Sequence, residues 1–173
     1  MTYIPDGAVL RLPPLKPPSP TWWERLWRAQ EPELIRDPPA VNAFGWLVPG
    51  FDFPFGPPEK EVLDILEESL GKCRVWVTRG FYGCWFCERG IIVSVHGGDI
   101  ETHLGSCSIL LLDEEGHPWV APNLVYHYVR DKHYVLPFRP RLPSPELVEN
   151  VAHRHSETID EYPKVEKELL GLK

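Results

Sequence analysis

Cys84 and Cys87 stand in the run Gly83-Cys84-Trp85-Phe86-Cys87-Glu88-Arg89-Gly90. The two-residue spacing lets both sulfurs point at one ion, and the flanking glycines permit the tight turn whose amides hydrogen-bond to thiolate. This C-x-x-C-x-x-G pattern is that of a zinc knuckle, and a structural zinc site takes four ligands. The stretch from Gly83 to Tyr134 holds three of the four cysteines and five of the seven histidines, so the missing ligands are sought there. Cys107, His103, His127 and His133 are the candidates, and none repeats the two-residue spacing, so each would come singly from its own element. The expected centre is Cys84, Cys87 and His127, completed by Cys107 or His133, with zinc as the cofactor. His133 lies six residues beyond His127, roughly 240° round an ideal helix, and joins only if that helix ends near Asp131.

Three other chemistries compete for the same residues. A thioredoxin-like pair places its first cysteine at a helix N-terminus, where the dipole lowers the thiol pKa. Here Gly90 and the β-branched Ile91-Ile92-Val93 follow, a strand pattern, so the metal-free thiols are expected to titrate near the ordinary ~8.5. A small metal-dependent or thiol enzyme would use Cys84, Cys87 and His127, or Cys107 with His127 as a nucleophile–base pair. The plainest reading makes the cysteines small buried hydrophobes. His127, flanked by Tyr126 and Tyr128, is then a hydrogen-bonded core histidine rather than a site residue. His96 and His117 fall at strand ends or turns, and His153 and His155 near a helix C-terminus. No P-loop, dinucleotide fingerprint, nucleophile elbow or H-E-x-x-H occurs.

The elements that would position these residues follow from periodicity. After Pro58, Val62, Ile65, Leu66 and Leu70 form one helical stripe with acidic residues opposite, and Gly71 supplies a stop. Cys73 to Thr78 alternates as a strand with Cys73, Val75 and Val77 on one face, and Ile91 to Val95 reads as a second. Ser108 to Leu112 is continuously apolar, the mark of a strand covered on both sides. Asp113-Glu114-Glu115-Gly116 turns the chain into a short strand at Pro118–Val120. Pro122 then suits the first position of a helix from Asn123 to about Asp131, and Ser144-Pro145 starts another through about His153.

Towards the N-terminus, residues 1–20 are proline-rich and favour extended backbone, with Leu10, Leu12 and Leu15 able to drape over a core. Thr21-Trp22-Trp23-Glu24 reads as a capping box opening a short helix that Pro32 stops. Phe51, Phe53 and Phe55 alternate, as one aromatic side of an extended segment wrapping the core. The acidic last twenty residues carry a weak helical pattern at Val165, Leu169 and Leu172.

Composition sets the class. The chain has 173 residues, 43% hydrophobic and 25% charged, ordinary for one globular domain, but 20 prolines keep regular elements short. A net charge of −7 argues against nucleic-acid binding, which needs a basic stripe. No apolar run approaches the ~20 residues of a membrane span, and no signal-peptide pattern opens the chain. A reducing cytoplasm with free or metal-bound thiols is the expected location.

Cys84-x-x-Cys87, Leu104-Gly105-Ser106 opening a strand, Trp119-Val120-Ala121-Pro122-Asn123-Leu124-Val125-Tyr126-His127-Tyr128-Val129 and Tyr134-x-x-Pro137 resemble a family of small uncharacterised bacterial proteins. Those proteins carry a cysteine pair, a Gly-Ser/Asn-x-Glu-Ile strand and an Ala-Pro-x-Leu-Ile-Tyr-His-Tyr-Val helix followed by a Tyr-x-Pro-Pro turn. The resemblance spans residues 80–140 and departs at Ser108, where an acidic residue is expected, and at Leu136. It implies a shared fold and carries no activity with it.

The expected architecture is α+β: a small, mainly antiparallel sheet with packed helices, a proline-rich arm over residues 1–20 and one domain over residues 21–173. The expected function is a non-catalytic, cytoplasmic module that binds partner proteins, an immunity or accessory role by analogy, with the enzyme as alternative.

Overall fold

The computed structural model describes residues 4–12, 40–87, 94–97 and 100–154. Seven strands are placed among them: β1 (Val9–Arg11), β2 (Ala40–Ala43), β3 (Arg74–Val75), β4 (Ser94–Gly97), β5 (Ile100–His103), β6 (Ser108–Leu112) and β7 (Pro118–Pro122). Three helices accompany them: α1 (Lys60–Lys72), α2 (Val125–Lys132) and α3 (Pro145–Ala152). Five strands make one sheet in the order β1-β2-β7-β6-β3, antiparallel throughout except for the parallel β2–β7 pair. β4 and β5 form a separate antiparallel ribbon. The fold is α+β. Among the described residues no helix is long and apolar enough to cross a membrane.

The continuous apolar run becomes a central strand because both its faces are covered. Ile109 and Leu111 point into a layer with Leu66 and Leu70 of α1 and Val125, Tyr128 and Val129 of α2. Leu110 points the other way, into a layer with Leu10, Val41, Val75, Trp76, Val120 and Val151 of α3. The turn after β6 forms as its composition demands. The Asp113 carboxylate accepts the backbone N–H of Glu115 and His117 and the Trp119 indole N–H, and Gly116 takes φ +89°.

Caps agree with the sequence at one helix and differ at another. Ser144 accepts the Leu147 amide and Pro145 opens α3. Pro122, in contrast, ends β7, and α2 starts three residues later behind Leu124. The reason is Asn123, whose amide donates to the Cys107 carbonyl at 2.9 Å and so continues the β6–β7 ladder past the proline. The α1 pattern holds, but the helix runs through Gly71 and is capped by Cys73.

Other differences have equally local causes. β3 stops after two residues because Trp76 turns to φ +49°, burying its ring and donating its indole N–H to the Val151 carbonyl. That twist flips the alternation, and Val77 is exposed. Among the alternating phenylalanines only Phe53 packs inward, edge-on to Phe86 and Tyr134, while Phe51 and Phe55 face solvent. β5 has no counterpart in the periodicity reading. The Thr21 helix, residues 91–93, Leu15 and the C-terminal pattern lie outside the described residues.

Among the described residues of the proline-rich arm, Val9–Arg11 form a sheet strand, while Pro13 to Pro20 lie outside the described residues. β1 pairs with β2 in the register Leu10↔Val41, and both Leu10 and Leu12 are fully buried. Asp6 adds a polar tie, accepting the Gly45 amide at 2.9 Å and the buried Tyr134 hydroxyl at 2.7 Å. Leu10→Ala should therefore lower stability by about 2–5 kcal/mol, read as a fall in the urea midpoint. A loss under about 0.5 kcal/mol, the size of a surface change, would contradict this account of β1.

Candidate metal centre

The cysteine loop is set from below by β5 and β6. Tyr82, two residues before Cys84, donates its amide to the Gly105 carbonyl at 2.9 Å. Gly105 has φ +83°, and a Cβ there would collide with the Tyr82 carbonyl oxygen, so only glycine allows this approach. The loop then closes on itself through the Cys87 amide and the Cys84 carbonyl, 3.4 Å apart. Phe86, between the cysteines, turns inward against Phe53 and Tyr128. The tight turn expected of the pair is present.

α2 supplies the third group. The sulfurs of Cys84 and Cys87 and a ring nitrogen of His127 lie within 4.8 Å of one another. Cys87 Sγ is 3.3 Å from His127 Nε2, and His127 Nδ1 is 2.7 Å from Asp131 Oδ2. A carboxylate only accepts hydrogen bonds, so Nδ1 carries the proton and Nε2 presents its lone pair to the thiols. Arg130 holds that carboxylate in turn, with Nε 2.8 Å from Oδ1 and Nη2 2.7 Å from Oδ2, while its guanidinium lies over the Tyr126 ring.

Burial governs the protonation states. Cys84 is 2% exposed and His127 4%. Desolvation pushes the Cys84 thiol up to about 11, so the expectation of an ordinary thiol fails here, in the direction away from redox chemistry. Desolvation also lowers the His127 pKa, outweighing the pull of Asp131 towards the charged form. Hydrogen bonds from Arg130, against the cost of burial, and then from His127 hold the Asp131 carboxyl below its usual range. A neutral imidazole facing two thiols is a donor set for a borderline-soft cation, and a carboxylate behind the imidazole is the usual orienting partner of a metal-bound histidine.

The remaining candidates stand apart from this trio. Cys107 is buried just before β6, and its carbonyl accepts the Asn123 amide. His133 caps α2 in the left-handed region, φ +56°, with its ring against Phe55. Neither belongs to the group of mutually close ligand atoms. His103 packs its ring on Phe81. Asp131 was missed as a partner in the sequence, although it follows His127 by one helical turn and i,i+4 side chains meet. Two cavities of about 210 Å³ lie elsewhere, one walled by Val62, Val129 and Phe138 and the other by Ile4, Leu47 and Phe51.

Residues 17–151 match the family described as "Domain of unknown function (DUF7919)". The chain belongs to that family. An uncharacterised family is what the resemblance over residues 80–140 led one to expect, and the DUF7919 match contains Cys84, Cys87, His127 and Asp131. No curated protein and no solved structure gives a match.

The raised Cys84 thiol has a direct consequence for this DUF7919 protein. Between the ordinary ~8.5 and about 11 the unfolded chain has lost that proton and the metal-free folded chain has kept it, so stability falls as pH rises through this window. Iodoacetamide at about pH 8 should accordingly leave Cys84 unmodified in native metal-free protein and label it in denaturant. Ready native labelling would contradict the burial argument.

Proposed function

We propose that Cys84, Cys87 and His127 bind one zinc ion whose role is structural, tying the loop before β4 to α2 in a cytoplasmic module that binds partner proteins. The observation that carries this reading is the convergence of three ligand atoms from two separate elements, with the far nitrogen of His127 already held by Asp131. Sulfur and imidazole nitrogen in this combination suit zinc, and the tautomer fixed by Asp131 is the ligating one. The near-complete burial of Cys84 and His127 favours a structural ion over one that meets substrate. Location in the cytoplasm fits four described thiols, all free. A protein partner fits a surface that exposes Phe51, Phe55, Phe81 and Tyr82 on a chain of net charge −7.

One observation favours a second reading. Cys87, His127 and Asp131 stand in line like a thiol nucleophile, its base and the residue that orients the base. A thiol enzyme works through a thiolate–imidazolium pair, and burial disfavours the charged imidazole here. The metal reading needs the neutral ring and is the better supported.

Elemental analysis of protein purified without added metal tests it. About one zinc per chain is expected, falling with Cys84→Ser or His127→Ala, and chelation should lower the melting temperature. Zinc at 1,000 times its Kd adds about 4 kcal/mol to stability. Less than about 0.2 zinc per chain with melting unchanged in chelator would sink the proposal. Cobalt substitution reports the fourth position, because a closed tetrahedral site and an open one absorb differently.

A further inference from the structure

We propose that Arg154, at the end of α3, is a receptor for a carboxylate. The site is separate from the cysteine–histidine cluster and independent of the zinc reading. Leu147, Val148 and Val151 of α3 pack into the layer that holds Leu110 and Trp76. Arg154 continues this stripe at helical spacing, and its amide still bonds to the Val151 carbonyl at 3.0 Å. A charged side chain therefore stands where the pattern calls for an apolar one. Arg154 is 3% exposed, and neither Nε nor Nη1 of its guanidinium has a hydrogen-bond partner among the described residues.

Charge sets this orphan apart. Ser69, Thr102, Asn123 and His127 are the other buried polar residues described, and none of them carries a permanent charge. A guanidinium keeps its proton inside a protein, so burial cannot neutralise it. A buried charge without a counter-charge costs more than any neutral polar group left unpaired. The end of the helix offers little relief, because the Val151 carbonyl also accepts the Trp76 indole N–H. The missing partner is an anion. A single carboxylate matches the flat guanidinium with two parallel hydrogen bonds and leaves a neutral pair in the apolar layer. A phosphate dianion would instead bring surplus negative charge to a chain already at −7. Glu157, Asp160 and Glu161 follow Arg154 closely in sequence, and an acidic side chain of another protein is the second source of the same chemistry.

Arg154→Met keeps a long unbranched side chain and removes the charge. The full chain and this variant are melted in sodium butyrate and in sodium chloride of equal ionic strength. If the carboxylate comes from another molecule, butyrate at about ten times its Kd should raise the wild-type melting temperature by roughly 3–5 °C and leave the variant unmoved. If it comes from the chain itself, Glu157→Gln, Asp160→Asn and Glu161→Gln together should lower the melting temperature beside Arg154 and leave it unchanged beside Met. Either result supports the site, and which one appears names the source. Butyrate acting alike on both proteins, with acid substitutions that act alike in both backgrounds, overturns the proposal. Should Arg154→Met not fold, the NMR signal of the wild-type Arg154 Nε–H is followed instead. It should shift on adding butyrate or on neutralising the three acids, and a signal indifferent to both overturns the proposal.

Discussion

The geometry of the cysteine–histidine cluster depends on Asn123. It sits fully buried at the corner where β7 ends and α2 begins, and makes three hydrogen bonds there. Its amide donates to Cys107, its side-chain carbonyl accepts the Gly105 amide, and its side-chain amide donates to the His103 carbonyl. Gly105 in turn accepts the Tyr82 amide, two residues from Cys84. One buried side chain thereby couples the histidine helix to the cysteine loop. Neither aspartate, which lacks the donor, nor leucine, which lacks both groups, would satisfy the corner, and buried polar networks are costly when half-satisfied.

The aromatic residues around the cluster set its electrostatics. Phe53, Phe86, Tyr128 and Tyr134 pack in edge-to-face contacts that keep water from Cys84 and His127. The same exclusion keeps the thiol protonated and the imidazole neutral in the metal-free protein. It also strengthens every charge interaction made inside, the Asp131–His127 contact included. Arg130, on the wetter side of the helix, completes a chain of partners that runs from solvent to the sulfurs.

Much of this was legible from residue order. The α1 stripe, the doubly covered β6, the Asp113–Gly116 turn and the Ser144 cap are local patterns, so propensity and periodicity decide them. The meeting of Cys84, Cys87 and His127 was legible because the chemistry of the residue types is strong and α2 follows β7 closely. What escaped depends on tertiary context. Nothing local says that Trp76 will leave the strand to reach the Val151 carbonyl, or that Pro122 will finish β7 because Asn123 is claimed by Cys107. Asp131 carried a signal of the weaker sort, a helical spacing, which the position of the His127 ring makes meaningful.

The parallel pairing of β2 with β7 has a consequence for synthesis on the ribosome. Asn42 pairs with Trp119 and Ala43 with Val120, contacts that cannot form until the later strand has been translated. At roughly 5–20 residues per second, the chain between them takes on the order of several seconds to emerge. For that interval β2 has no sheet neighbour on the side β7 will occupy. The apolar Val41 and Leu10 meanwhile lack the inner layer that β6 and β7 provide. The N-terminal strands therefore complete their packing only after the β6–β7 hairpin, whose contacts are local, has formed.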